Sequence, residues 1–301
     1  SEYRDEKIQG FASWLASRGV GIAGTGSWAN MLWYDETLGE QDFRKEPTAR
    51  LFGELSMMYA RSSWDEDATL VAFKCTSNTT DHVRKAFPGR PIAGGHCHPD
   101  AASFQIYAFG EWLAVDPGYT LLKRTENHNT IMANSTGQLG GDEMWFDARK
   151  ALNVEGVKIT HFEDTGDFVY ARADASKIYK PKARIERFIR HMVYLRPHDV
   201  LIVDELLSGT KSKLEWLIHT EDSITGDGSE FVLTRNAAKA RVQWLAPEDF
   251  KASIKRQKIV WQPPYGFREM ECLTIRPAEK TRRTTCLLYT SPSPRDRTRS
   301  R

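Results

Sequence analysis

Over most of the chain, apolar and polar residues alternate with a period of two. From about Asp65 almost to residue 280 this pattern predicts strands at Thr69 to Cys75, Ser103 to Phe109, Glu111 to Val115 and Val154 to Phe162. It continues through Phe168 to Ala173, Ile185 to Leu195, Val200 to Asp204 and Leu214 to His219. Phe109-Gly110, Asp164-Thr165-Gly166-Asp167 and Asp227-Gly228 supply turns between them. The first sixty residues differ. Apolar positions recur at helical spacing in Glu6 to Ser17, through Ile8, Phe11, Trp14 and Leu15, and in Pro47 to Arg61, through Leu51, Leu55, Met58 and Tyr59. Pro47 suits a first helical turn. The expectation is a mostly β chain. The last helices of a helical domain (1–62) precede a large antiparallel multi-sheet β-sandwich (63–285), because many short strands without intervening helices build stacked antiparallel sheets. Gly19, Gly21, Gly24 and Gly26, ahead of the aromatic stretch Trp28, Trp33 and Tyr34, follow no strand and predict no dinucleotide loop.

Composition narrows the class. Across 301 residues, 40% hydrophobic and 11% aromatic content suffices for a packed core. A formal charge of +2 gives no whole-chain argument for nucleic acid or an anionic membrane, so affinity for a charged ligand must be local. No run of 18 apolar residues and no basic-then-apolar opening occurs, so neither a membrane span nor a signal peptide is expected within the chain, which opens on Ser1 and reads as starting mid-protein. Residues 286–301, from Cys286-Leu287-Leu288-Tyr289-Thr290-Ser291-Pro292-Ser293-Pro294 onward, read as a translated sequencing adapter. They are expected to be a non-native tail without a part in folding. Without that tail's four arginines and one aspartate the formal charge becomes −1. Cys75, Cys97 and Cys272 then remain, an odd set without CxxC spacing, and indicate neither a disulfide framework nor a cysteine zinc knot.

The densest chemistry lies in Gly94-Gly95-His96-Cys97-His98-Pro99-Asp100, Val115-Asp116-Pro117-Gly118-Tyr119 and Asn127-His128-Asn129-Thr130. On an extended backbone His96 and His98 project to one face. Asp116 ends one apolar strand and His128 begins another, so a sheet rim can collect all four side chains. Two histidines and a carboxylate form a zinc-type ligand set with a fourth position open. Taken singly, each piece is ordinary: His-x-His on an exposed strand, Asp-Pro-Gly as a turn, Asn-His-Asn as a polar loop. Their combination is what marks a site.

Those residues, with Ser103-Phe104, Gly110-Glu111-Trp112-Leu113-Ala114, Arg190 to Asp204 and Trp216-Leu217-Ile218-His219, closely resemble the β-domain signature of the heparinase II/III-like polysaccharide lyases. The resemblance spans most of residues 65 to 220. It implies an (α/α) toroid followed by a multi-sheet β-sandwich, β-elimination on an acidic, uronic-acid-containing polysaccharide (glycosaminoglycan, alginate or similar), and a periplasmic or secreted location. Carried over, it implies that His96 is the catalytic histidine and that His98, Asp116 and His128 hold a zinc ion, Zn2+, in a structural role. It further implies that a catalytic tyrosine and a carboxylate-neutralising residue come from the helical domain upstream of residue 1. Tyr3, Tyr34, Tyr59 and Tyr119 do not match that tyrosine by motif.

Two readings from other classes stay open. A cupin-like metal oxygenase also uses His-x-His on a strand, although its Glu a few residues later is missing. A non-catalytic carbohydrate-binding sandwich would need no metal. Asp100 is a candidate to orient His96 or His98. Lys177, Lys180, Lys182, Arg184, Arg187 and Arg190 could attract a polyanion, but their alternation with Ile185, Phe188 and Ile189 fits a solvated strand face better. His82, His161, His191 and His198 read as isolated surface or strand residues, and His219 as a satisfied core histidine.

Overall fold

In the computed structural model, residues 5–18, 37–90, 96–151, 154–261 and 266–294 are described. The expected glycines 19, 21, 24, 26, 94 and 95, with Trp28, Trp33, Tyr34 and Tyr3, fall outside them. The chain divides into two compact units, Ser1–Thr48 and Ala49–Arg301. In the first, helix α1 (Glu6–Ser17) forms as expected, its N-terminus capped by Asp5, whose carboxylate accepts from the Lys7 and Ile8 amides at 2.9 and 3.2 Å. Phe11 and Trp14 of α1 pack on Phe43 with ring centroids 5.1 and 5.3 Å apart.

The second unit is built from three antiparallel sheets. The first contains β1 (Ala49–Phe52), β2 (Met57–Arg61), β3 (Leu70–Lys74), β4 (Ser103–Ala108) and β5 (Glu111–Ala114) in that order, with the short helix α2 (Asp81–Ala86) between β3 and β4. The remaining strands are β6 (Ile131–Ala133), β7 (Lys158–Asp164), β8 (Phe168–Asp174), β9 (Ile185–Leu195), β10 (Asp199–Ser212), β11 (Leu214–Thr220), β12 (Ser223–Asp227), β13 (Glu230–Arg235), β14 (Ala238–Ala246), β15 (Phe250–Val260), β16 (Phe267–Pro277) and β17 (Thr281–Pro294). They form an eight-stranded sheet in the order β12-β13-β14-β17-β10-β9-β8-β7 and a four-stranded sheet β15-β16-β11-β6. One core joins all three: Val71, Phe73 and Ile106 meet Phe188, Tyr194 and Ile202, and Trp216, Ile218 and Leu273.

Two expectations are corrected here. Residues 47–61 do not form a helix. Ala49, Met58 and Ala60 are buried with a period of two, whereas Leu55 is 54% exposed in a tight turn where Ser56 takes φ +54°. The turn Phe52–Ser56 folds β1 back on β2, and β3 supplies the next row of hydrogen bonds, which outweighs local spacing. The β unit therefore starts at Ala49, before the expected boundary at 62. Nor are residues 286–294, the described part of that tail, a segment apart from the fold. Residues 281–294 form a strand between β10 and β14, with Cys286 and Leu288 buried, because Cys286-Leu287-Leu288-Tyr289-Thr290 itself carries the alternation that an interior strand needs.

Candidate functional site

The site sits where loops leave the first sheet. After β5 the chain turns at Asp116-Pro117-Gly118. Gly118 takes φ +81°, a left-handed conformation that side chains disfavour. Asp116 Oδ1 accepts from the Gly118 amide at 2.8 Å, and Trp261 Nε1 donates to the Pro117 carbonyl at 2.8 Å. The turn brings Tyr119 against the segment 96–100 that leads into β4. His128 follows the 3-10 turn Thr125–Asn127 and precedes β6.

His98, Asp116 and His128 converge, with one ligand atom from each lying within 4.8 Å of the others. His128 is fully buried; its Nδ1 lies 2.6 Å from Asp116 Oδ2, and its Nε2 has no hydrogen-bond partner. Burial and the neighbouring His128 pull the His98 imidazole down to about 4. Burial would push the Asp116 carboxyl up, but His128 outweighs it and holds the group at about 2. For His128, burial opposes the charge and Asp116 outweighs it, raising the imidazole. At neutral pH His98 is thus neutral and Asp116 ionised, the states in which they can serve as ligands. Two imidazoles, one carboxylate and an orphaned buried nitrogen fit a zinc ion by the chemistry of the donor set.

His96 is different. It is exposed, and its Nδ1 lies 2.7 Å from the Tyr119 hydroxyl. Its ring stacks on Tyr119 at 5.6 Å and meets the edge of Trp145 at 5.3 Å. A cleft of about 440 Å³ is lined by His96 and His98 together with Tyr59, Lys74, Gln105 and Tyr119. Asp100 makes no direct hydrogen bond to either imidazole among the described residues. Its carboxylate accepts from Lys74 Nζ at 2.7 and 3.0 Å, and Lys74 also donates to Asn78 Oδ1 at 3.0 Å. Asn78 Nδ2 in turn holds the His98 carbonyl at 2.6 Å.

Beneath the rim lies a buried polar support that residue types alone did not reveal. Asn129 donates to the Phe104 and Val115 carbonyls, and its Oδ1 accepts from the His219 amide at 2.8 Å, with His219 Nδ1 3.0 Å away. His219 is a buried core residue whose Nδ1 is engaged by Asn129. Arg190 reaches Asp204 with two hydrogen bonds, at 2.8 and 2.7 Å, and donates to the Ala102 and Asn129 carbonyls at 2.6 and 3.0 Å. Trp216 Nε1 completes Asp204 at 2.7 Å. Ala102, buried at φ +59°, is the residue whose carbonyl Arg190 grips, and a left-handed alanine persists only when its surroundings hold it. Within the basic stretch, three of the six residues are paired, Lys180 with Asp142, Arg187 with Glu205 and Arg190 with Asp204. Of the isolated histidines, His191 contacts Tyr170 and Glu205, and His198 contacts Thr69.

Tyr119, Lys123, Trp145 and Asn129 are the residues that sequence reasoning did not select. For Tyr119 the signal was its place directly after Asp116-Pro117-Gly118, and for Asn129 its place directly after His128.

Comparison with known proteins identifies the family and the fold. The family profile described as Heparinase II/III-like, C-terminal, matches residues 63–290. No curated protein matches the sequence. Among solved structures, the heparan sulfate lyase HepC from Pedobacter heparinus superposes with a TM-score of 0.65 at 12% identity over 96% of this chain and 42% of that one. A heparinase III gene product gives 0.64 at 14% identity over 96% and 41%, and a further heparinase III gives 0.61 at 14% over 83% and 37%. The chain therefore spans about two fifths of the length of these proteins, and at such identities the likeness shows the fold. With the profile covering most of its length, the chain belongs to the heparinase II/III-like family, and residues 63–290 are that family's C-terminal domain.

Proposed function

We propose that the chain is the β-domain portion of a polysaccharide lyase that cleaves a uronic-acid-containing polysaccharide by β-elimination, with His96 facing the substrate. One observation carries the reading: an exposed, hydrogen-bonded imidazole lies in a cleft directly beside the cluster of half-buried His98 and Asp116 with buried His128. In β-elimination the proton beside the uronate carboxylate is removed, the C–O bond to the leaving sugar breaks, a C=C bond forms and the departing oxygen gains a proton. Negative charge builds on the carboxylate during this step, and a hydrogen-bond donor aimed there lowers the barrier. His96 supplies such a donor or moves a proton, a role worth about 10²–10⁴-fold.

His98, Asp116 and His128 would hold zinc, which when bound ties together the loops on either side of the cleft. The partial burial of His98 and Asp116 and the full burial of His128 favour a structural role. Membership of the family and its structural likeness to a heparan sulfate lyase and a heparinase III favour a glycosaminoglycan as substrate. A periplasmic or secreted location follows from a polysaccharide of that kind being extracellular.

The test joins the chain to its upstream reading frame and offers heparan sulfate, chondroitin sulfate, alginate and a neutral xylan. Ultraviolet absorbance of the unsaturated uronate should rise with a glycosaminoglycan and stay flat with xylan. A response to alginate alone would move the substrate class, and no response to any of the acidic polymers would overturn the reading.

A further inference from the structure

We propose that Tyr119 is the positioning residue of His96. In this arrangement its hydroxyl donates to His96 Nδ1, Lys123 beneath the phenol ring fixes that direction, and Nε2 is left as the protonated nitrogen of the neutral imidazole. The inference rests on the reading that His96 faces the substrate, and extends it to the form in which that imidazole is presented.

Three contacts carry the proposal. The Tyr119 hydroxyl lies 2.7 Å from Nδ1, within hydrogen-bonding distance for either direction of donation. The two rings stack with an interplanar angle of 16°, which holds the imidazole plane as well as one of its atoms. Lys123 Nζ sits 3.7 Å from the Tyr119 ring centroid. Lys123 is fully buried, donates to the Thr120 carbonyl, and pairs with no carboxylate among the described residues. Its charge is therefore directed at the phenol face. A cation there is attracted by the ring's electron density and draws on it, which makes the hydroxyl a better donor and a poorer acceptor. Of the two directions the contact allows, donation from tyrosine to histidine is the one this cation favours.

The turn explains how the tyrosine is held. Asp116 uses Oδ1 for the Gly118 amide and Oδ2 for His128 Nδ1, so one carboxylate fixes both the buried histidine and the turn that delivers Tyr119. A neutral His96 with its proton on Nε2 is a donor toward charge developing in the cleft and not a base. The proton beside the carboxylate then has to leave to another group. Sequence spacing could not show this, because the tautomer of a histidine is set by the partner of its other nitrogen.

The experiment is long-range 1H–15N correlation NMR of the chain labelled at histidine nitrogens, at a pH well above the usual imidazole value of about 6.5. The His96 signals are identified by their disappearance in His96→Gln. The wild type should show one tautomer at His96, with Nδ1 hydrogen-bonded and unprotonated and Nε2 protonated. Tyr119→Phe keeps the ring stack and the lysine contact but removes the hydroxyl. It should shift Nδ1 to its unbonded position and replace the single tautomer by an averaged pair, while the other seven histidines keep their signals. Lys123→Met should raise the share of the Nδ1-protonated form. A wild-type His96 protonated at Nδ1 would overturn the direction, and His96 signals unchanged in Tyr119→Phe would overturn the positioning role. The readout uses no substrate, so failure of the lyase assay and failure of this inference remain separate results.

Discussion

The rim of the cleft and the layer beneath it are built on opposite terms. At the rim, His96 is exposed and touched by aromatic rings. Beneath it, Asn129, His219, Arg190 and Asp204 are buried, and Asn129 and Arg190 donate to backbone carbonyls of the segments above. His96 and His98 make the contrast sharpest. Separated by one cysteine, one imidazole is open to ligand and the other is turned toward His128 and Asp116, with ring centroids of His98 and His128 5.2 Å apart. Sequence neighbours of one type thus receive different chemistry from their surroundings. The rim should therefore be loud in function and quiet in stability, and the support the reverse.

The largest expected effect comes from the support's own framework. Ending the chain at Thr285 removes most of β17 and unpairs β10, the strand that carries Asp204. Urea unfolding should lose more than about 4 kcal/mol, beyond most single substitutions; an unchanged midpoint would show that the segment is dispensable. Next, Asp204→Ala leaves Arg190 buried without its partner and should cost about 3–5 kcal/mol, again by urea unfolding, with Trp216 fluorescence reporting the lost indole hydrogen bond.

His98→Ala should leave a folded chain that no longer retains zinc through dialysis, as elemental analysis would show. Zinc at a hundredfold excess over its dissociation constant should raise wild-type stability by about 2.7 kcal/mol and the variant's far less. Stoichiometric iron in place of zinc would contradict the ligand reading.

A further effect, spread over more than about two pH units, is the pH dependence from His219. Burial, chiefly, and the nearby His128 hold its imidazole down at about 4, so the unfolded chain binds a proton there at higher pH than the folded one. The stability it secures is complete above about pH 6.5, declines as pH falls toward 4 at up to about 1.4 kcal/mol per unit, and is flat below that. His219→Gln should reduce this slope in the metal-free chain, as measured by unfolding at a series of pH values. An unchanged slope would mean that another group carries it. Smallest of all, His96→Ala should leave the thermal midpoint within the shift given by about 0.5 kcal/mol, as for other exposed positions.

Much of this division was legible in the sequence, for reasons that also explain the failures. Ile185 to Leu195 was readable as a strand because one face is buried and period two is its direct imprint. Residues 49–61 misled because Leu51, Leu55, Met58 and Tyr59 satisfy helical spacing as well as Ala49, Met58 and Ala60 satisfy a hairpin; only the neighbouring strand decides. His98, Asp116 and His128 could be grouped from the sequence because their motifs flank strands, and the sheets bring the three side chains together. Arg190 was hidden among five other basic residues, since its partner Asp204 lies directly opposite only in the β9–β10 register. Asp100 illustrates the same limit, for its short distance from His98 along the chain did not reveal that Lys74, on β3, would claim its carboxylate.

The most direct measurement is turnover of His96→Ala in the chain joined to its upstream reading frame, followed by ultraviolet absorbance of the unsaturated uronate released from a glycosaminoglycan, with zinc content measured on the same sample. The account predicts a folded, zinc-loaded variant whose turnover falls by about 10²-fold or more. Full turnover in that variant, or cleavage that releases reducing ends without the unsaturated chromophore, would contradict it.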